Sequence, residues 1–116
     1  MLKIKRIYEE ADGNDGLRVL VDRLWPRGIS KERAHFDRWE KELAPSDELR
    51  RWFGHDPERW QDFRSRYREE LEGQGELLQE IAAAAAKGPV TLLYAAKDEE
   101  HNNAVVLKEL IGKARK

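Results

Sequence analysis

The stretch Gly88-Pro-Val-Thr-Leu-Leu-Tyr-Ala-Ala96 decides the fold. From Val90 to Ala96 it is a continuous apolar run, the pattern of a central parallel strand covered on both faces. Gly88-Pro89 ahead of it stops the preceding helix. That helix spans Glu76 to Lys87, with Leu77, Leu78, Ile81, Ala82 and Ala85 as its buried positions. Upstream, Leu17 to Asp22 is a strand rich in branched apolar residues, and Leu2 to Tyr8 is another, with Ile4 and Ile7 as core candidates. Glu9 to Gly16 joins them as a loop carrying the turn dipeptides Asp12-Gly13 and Asp15-Gly16.

Between the second strand and Val90 the chain reads as helices. Trp25 to Phe36 is irregular, with one helical turn at Lys31 to Ala34, and the spacing of Phe36, Trp39 and Leu43 predicts a short helix after it. Ser46 caps the next helix, and Asp47 and Glu48 sit against the positive end of its dipole. Leu49, Trp52 and Phe53 share one of its faces, and Gly54 ends it. Asp56 caps another helix, with Pro57 at the first helical position. Its stripe is Trp60, Phe63, Tyr67 and Leu71, broken by Gly73 to Gly75. After the polar loop Lys97 to Asn103, a last helix starts at Asn102 or Asn103 and packs through Val106, Leu107, Leu110 and Ile111. Arg115 and Lys116 are expected to fray.

Strands separated by helices lie parallel through right-handed crossovers. The expected fold is therefore α/β, a small, mostly parallel sheet of about three or more strands covered by helices. At 116 residues the chain is expected to be one domain, 1–116. Such a length buries about two-thirds of the unfolded surface, enough for a core without staples.

Composition narrows the function. Cysteine is absent, which excludes disulfides, thiolate nucleophiles and cysteine metal sites and fits a reducing compartment. No apolar run approaches the roughly 18 residues of a membrane span. Met1-Leu-Lys-Ile-Lys-Arg6 lacks the apolar segment of a signal peptide, so a cytoplasmic location is expected. Charged residues make up 39% of the chain, yet net charge is −1. That balance opposes wholesale binding to a nucleic-acid backbone but allows a local basic pocket.

In an open parallel sheet, ligands bind beyond the carboxyl ends of the strands. Two segments qualify. Asp22-Arg-Leu-Trp-Pro-Arg-Gly28 leaves the second strand with two guanidinium groups, a carboxylate and an indole, stiffened by proline. Arg23 and Arg27 offer planar forks that match carboxylate or phosphate oxygens, and Trp25 can stack on a ring or shield the pocket. The competing structural reading pairs Asp22 with Arg23 or Arg27 and buries Trp25. The second segment supplies Lys97, Asp98, Glu99, Glu100, His101, Asn102 and Asn103. Free N–H groups at the helix start can hold an anion, and His101 can act as acid or base near neutral pH. Its competing reading is a solvated loop whose asparagines cap a helix. If the two strands are neighbours, the two segments face each other. His55-Asp56 is a weaker general-base candidate, because Asp56 already serves as a cap. A metal site from His55, His101 and carboxylates lacks ligand spacing on any one element, so no metal ligand is assigned. There is no glycine-rich phosphate loop, dinucleotide fingerprint or nucleophile elbow, and no cofactor is indicated.

Asp15-Gly-Leu-Arg-Val-Leu-Val-Asp-Arg-Leu-Trp-Pro-Arg-Gly28 resembles the YeaO-like family, within the broader domain-of-unknown-function 488 group. The resemblance continues through Trp39 to Ser46, Glu48 to Arg50, Phe63, Tyr67, Glu70-Leu71, Thr91 to Lys97, Asn103-Ala104 and Val106-Leu107, and so covers nearly the whole chain. It implies a small α/β protein with its pocket at the Trp-Pro-Arg-Gly turn, and it implies no activity. Other branches of the group resemble one another in carrying cysteine near the end of the last strand. This chain has Tyr94-Ala95-Ala96 there, so no thiol chemistry carries over. The resemblance also draws in Lys41, Pro45, Ser46 and Arg50 as additions to an anion pocket.

The first functional reading is a site for an anionic small molecule, with Arg23, Trp25, Arg27, Gly28, Lys41, Ser46, Arg50, Lys97, Asn102 and Asn103 binding. Asp22, Asp98 and His101 are its proton-transfer candidates, with catalysis left open. The second is a protein-interaction or regulatory module anchored by exposed aromatic residues such as Trp39 or Trp52. The third is a nucleic-acid module, disfavoured by the net charge. Oligomeric state is left open.

Overall fold

The computed structural model describes residues 1–114, so the expected fraying of Arg115 and Lys116 lies outside the described residues. In chain order the elements are β1 (Leu2–Arg6), β2 (Leu17–Leu20), a single turn α1 (Lys31–Ala34), β3 (Arg38–Trp39), α2 (Asp47–Phe53), α3 (Trp60–Leu71), α4 (Gly75–Lys87), β4 (Val90–Tyr94) and α5 (Asn103–Ala114). Short 3-10 turns precede β2, follow β3 and flank α3.

The four strands form one all-parallel sheet in the order β1-β4-β2-β3. The apolar run therefore lies centrally, as its composition demands: Leu2 pairs with Val90 on one side of β4 and Leu17 with Val90 on the other. All five residues of β4 are buried. The architecture is an α/β fold, a small parallel sheet with helices packed around it.

The pleat sends alternate residues to opposite faces. Val19, Val21, Val90, Leu92 and Tyr94 join the main core beneath the helices, with Phe53, Phe63, Tyr67, Ile81, Val106, Leu107 and Ile111. Leu20 and Leu93 point the other way, with Ile7 and Ala34, under Ile29, Phe36 and Trp39. That second face also carries a buried ion cluster. Asp15, fully buried, meets Lys3 at 3.1 Å, Lys5 at 3.2 Å and Arg18 at 2.5 Å. Arg18 further donates to the carbonyls of Ala34 and His35, which ties α1 to the sheet. Burial opposes ionisation of Asp15, but the Asp12 N–H and the three cations outweigh it and hold the carboxyl well below the usual range.

Several local expectations need correction. Phe36, Trp39 and Leu43 do not share a helix. Asp37 N donates to Arg18 O at 2.8 Å and Glu40 N to Leu20 O at 2.9 Å, so β2 takes the donors a helix would need. The segment becomes β3 and a 3-10 turn, Lys41–Leu43, and Leu43 enters the main core while Phe36 and Trp39 pack on the opposite face. β1 ends at Arg6 rather than Tyr8, and as an edge strand it leaves Ile4 half-buried while Ile7 is buried. β2 ends at Leu20 and β4 at Tyr94, short of Asp22 and Ala96. Leu77, Leu78 and Leu110 are only partly buried. Ser46 caps α2 and Gly54 ends it, and Asp56-Pro57 opens a 3-10 turn that runs into α3.

Candidate functional site

The strand ends and the segments leaving them enclose an open cleft of ≈ 720 Å³. Because β2 and β4 are adjacent, the segment Asp22 to Arg27 and the segment Ala95 to Asn103 form facing walls. The β1 end adds Tyr8. The loop ahead of α2 adds Ala44 and Pro45, and α2 and the turn after it add Arg50, Phe53 and His55.

Asp22 stands at the junction. Ala95 N donates to its Oδ2 at 2.9 Å, where a ladder carbonyl would otherwise accept, so this carboxylate ends β4 and begins the site. Asn103 Nδ2 donates to Asp22 Oδ1 at 3.1 Å and to Val21 O at 2.9 Å, fixing the start of α5 against β2. Trp39 Nε1 donates to Asp22 O at 2.7 Å from the far side. Among the described residues Asp22 has no ion-pair partner within 4.0 Å. Burial pushes its proton affinity up, against the hydrogen bonds from Asn103 and Ala95 and the charges of His55 and Arg50. Tyr67 lies fully buried nearby, its hydroxyl donating to Leu43 O, and burial holds it protonated well above the usual tyrosine range.

The cations stand nearer the rim. Arg23, half-buried, makes one long bond, Nε to Pro45 O at 3.3 Å. Arg27 and Lys97 are exposed, and neither side chain has an ion-pair or hydrogen-bond partner among the described residues. Among the described residues Arg50 reaches only Asp47, at 3.5 Å. Four permanent cations thus line the cleft beside two carboxylates, Asp22 and Asp98. Asp98 is engaged by its own loop. It accepts from Glu100 N at 2.9 Å and His101 N at 3.0 Å and contacts His101 Nδ1 at 2.9 Å. The Glu100 N–H, then His101, hold its carboxyl below the usual range.

The structure brings together Asp22, Arg23, Trp25, Arg27, Arg50, Lys97, Asp98, His101, Asn102 and Asn103, all on the cleft. Asp22 does not pair with Arg23 or Arg27 but accepts from Ala95 N and Asn103 Nδ2, and Trp25 packs against Phe36 and Trp39 while staying 38% exposed, so the turn is held in place by contacts other than those the structural reading supposed. The structural reading of the other segment holds for Asn102, a buried side chain that accepts from Val105 N and donates to Asp98 O. Gly28, Lys41 and Ser46 are not among the lining residues. Gly28 is a turn glycine at φ +72°. Lys41 Nζ lies 4.2 Å over the Trp39 ring. Ser46 is held by Glu70, which accepts from its N–H at 2.8 Å and its hydroxyl at 2.5 Å.

Tyr8 is an addition, and His55, the weaker general-base candidate of the sequence, joins the cleft without Asp56. Tyr8 follows β1, and the strand-end rule applied to every strand finds it. Its hydroxyl donates to Arg27 O at 2.8 Å. His55 reaches the cleft from the α2–α3 turn with φ +58°, while Asp56 turns away to cap Glu58 N. Among the described residues no group of three or more histidine, aspartate or glutamate side chains is placed to hold a metal ion, and no helix is long and apolar enough to cross a membrane.

Over residues 1–116 the chain matches the DUF488-N3i family, described as the inactive DUF488-N3 subclade, and belongs to it. It is similar to the uncharacterized protein YeaO of Escherichia coli K12, with 44% identity over 93% of this chain and 94% of that protein. It is also similar to the uncharacterized protein Rv3073c of Mycobacterium tuberculosis H37Rv, at 42% identity over 95% of this chain and 92% of the relative. No solved structure matches it.

Proposed function

We propose that the cleft binds an anionic small molecule bearing a phosphate or carboxylate. One observation carries the reading: Arg27 and Lys97 reach one cavity from adjacent strand exits without a carboxylate partner among the described residues. Arg23 and Arg50, each weakly engaged, extend the same positive surface. A guanidinium supplies paired donors in the geometry of a carboxylate or phosphate edge. The subclade's description as inactive favours binding over turnover. In that case Asp22, Asp98 and His101 orient the ligand rather than move protons.

The other classes draw less support. Trp39 and Trp52 are half-buried beneath cations, Lys41 over one and Arg59 and Arg66 over the other, so neither offers a bare docking patch. Net charge −1 disfavours a nucleic-acid backbone. A chain without cysteine fits a reducing compartment, and we place it in the cytoplasm.

Calorimetric titration with inorganic phosphate and with small carboxylates tests the site. Arg27→Ala and Arg50→Ala should each weaken binding by about tenfold or more, the worth of a charged hydrogen bond. Unchanged affinity in both variants sinks the reading.

A further inference from the structure

The cleft is graded from floor to rim. At the half-buried floor, Asp22 accepts one hydrogen bond on each oxygen, from Ala95 N and Asn103 Nδ2. A carboxylate has about four lone-pair sites, so acceptor capacity remains for a donor that enters the cleft. At the exposed rim, Arg27, Arg50 and Lys97 present donors only. A plain anion satisfies the rim and leaves the floor unanswered. A ligand that fits both ends carries an N–H donor at one end and an anion at the other.

The walls add a third requirement. Among the described residues the exposed large hydrophobic side chains are Met1, Tyr8, Leu24 and Trp25, and the last three all line this cleft. Scattered surface apolar residues need no explanation, but concentration at a cationic cleft marks a binding surface. Trp25 is fixed without being covered. Its ring packs edge-on against Phe36 at 5.7 Å and Trp39 at 5.5 Å, and its N–H donates to Ile29 O at 2.9 Å. It still keeps 38% of its surface exposed. A preorganised, half-open indole is a stacking platform for a flat ring. The ≈ 720 Å³ volume suits an organic molecule rather than a single phosphate.

We infer that the ligand is a nucleoside phosphate, its base against Trp25 with an N–H edge turned to Asp22 and its phosphate among Arg27, Arg50 and Lys97. This rests on the anion-binding reading above and adds the ring and its donor edge.

The test is a calorimetric panel on the intact protein: inorganic phosphate, ribose 5-phosphate, the common ribonucleoside monophosphates, and purine riboside monophosphate, whose flat base has no N–H donor. At least one common nucleotide should bind about tenfold or more tighter than ribose 5-phosphate, a margin that stacking plus one hydrogen bond supplies. Purine riboside monophosphate should fall between ribose 5-phosphate and AMP. Trp25→Leu should erase the advantage of the ring while ribose 5-phosphate binding persists. Asp22→Asn removes a negative charge from the cleft and replaces one accepting oxygen with a donor, so it should shrink the difference between AMP and the donor-free analogue while ribose 5-phosphate binds as well or better. If ribose 5-phosphate binds as well as every nucleotide, the nucleoside inference is overturned and the anion site stands. If no member of the panel binds but a small carboxylate does, the nucleoside inference is overturned and the anion site stands; if neither the panel nor the carboxylates bind, both fall.

Discussion

Asp22 and Asp15 are two carboxylates within seven positions of each other, and the fold moves their proton affinities in opposite directions. Burial disfavours the ionised form of each. Asp15 meets three cations and the Asp12 N–H, and those contacts win. Asp22 meets two neutral donors and only distant positive charge, and burial wins. Carboxyl-carbon NMR should show Asp22 titrating above the usual aspartate range, and Arg50→Ala should raise it further by removing a favourable charge. A midpoint at or below the ordinary value contradicts the placement of Asp22 at the floor of the cleft. Removing Asp15 strands the buried Arg18 guanidinium, so Asp15→Ala should destabilise the protein by about 3–5 kcal/mol in urea unfolding. A cost within about 0.5 kcal/mol, as expected of a surface position, contradicts the buried cluster.

Among the elements, α2 has in Ser46 a residue whose observed contacts are those of a cap. Ser46 accepts from Leu49 N at 3.1 Å and gives both of its donors to Glu70. Ser46→Ala should cost about 1 kcal/mol, the usual worth of a cap, and leave phosphate affinity unchanged. A fall in affinity with intact stability returns Ser46 to the site. The turn into β2 is tighter. Gly16 sits at φ +64°, and a Cβ there would lie 2.1 Å from Pro89 O. Gly16→Ala must therefore part β2 from the start of β4, and its thermal midpoint should fall by several degrees or more. Helices with caps and stripes were legible because their signals are local: Ser46, Gly54, Asp56 and Gly88 all bound elements where their chemistry requires. β4 was legible because burial on both faces leaves no polar position. β3 was not, since a two-residue strand has no period and owes its existence to donors that β2 accepts. The two facing walls of the cleft followed from strand adjacency. The places of His55 and Tyr8 on the cleft did not, because the first depends on the left-handed backbone of the α2–α3 turn and the second on β1 lying beside β4.

For the whole molecule, the two aspartates give opposite contributions to the pH profile of stability. The folded-state affinity of Asp15 lies below that of an unfolded aspartate, near about 3.9. Its contribution is therefore fully present above about pH 4 and is lost as pH falls through the folded value, because the unfolded chain takes up the proton first. Asp22 runs the other way. Its folded-state affinity is raised, so its contribution is complete below the unfolded value and is lost as pH rises through the folded one. At neutral pH the sheet is thus held by the ion cluster on one face and opposed by the ionised carboxylate at its strand ends. Urea unfolding from acid to neutral pH separates them. Asp15→Asn should lower stability at neutral pH, with its deficit relative to the unaltered chain shrinking as pH falls below about 4. Asp22→Asn sets its amide nitrogen against the N–H of Ala95 or Asn103, a cost that does not vary with pH, and removes the ionisation penalty, so its stability relative to the unaltered chain should rise from acid to neutral pH. If both substitutions tilt the profile in the same direction, the contrast between a paired carboxylate on one face and an unpaired one at the strand ends is wrong.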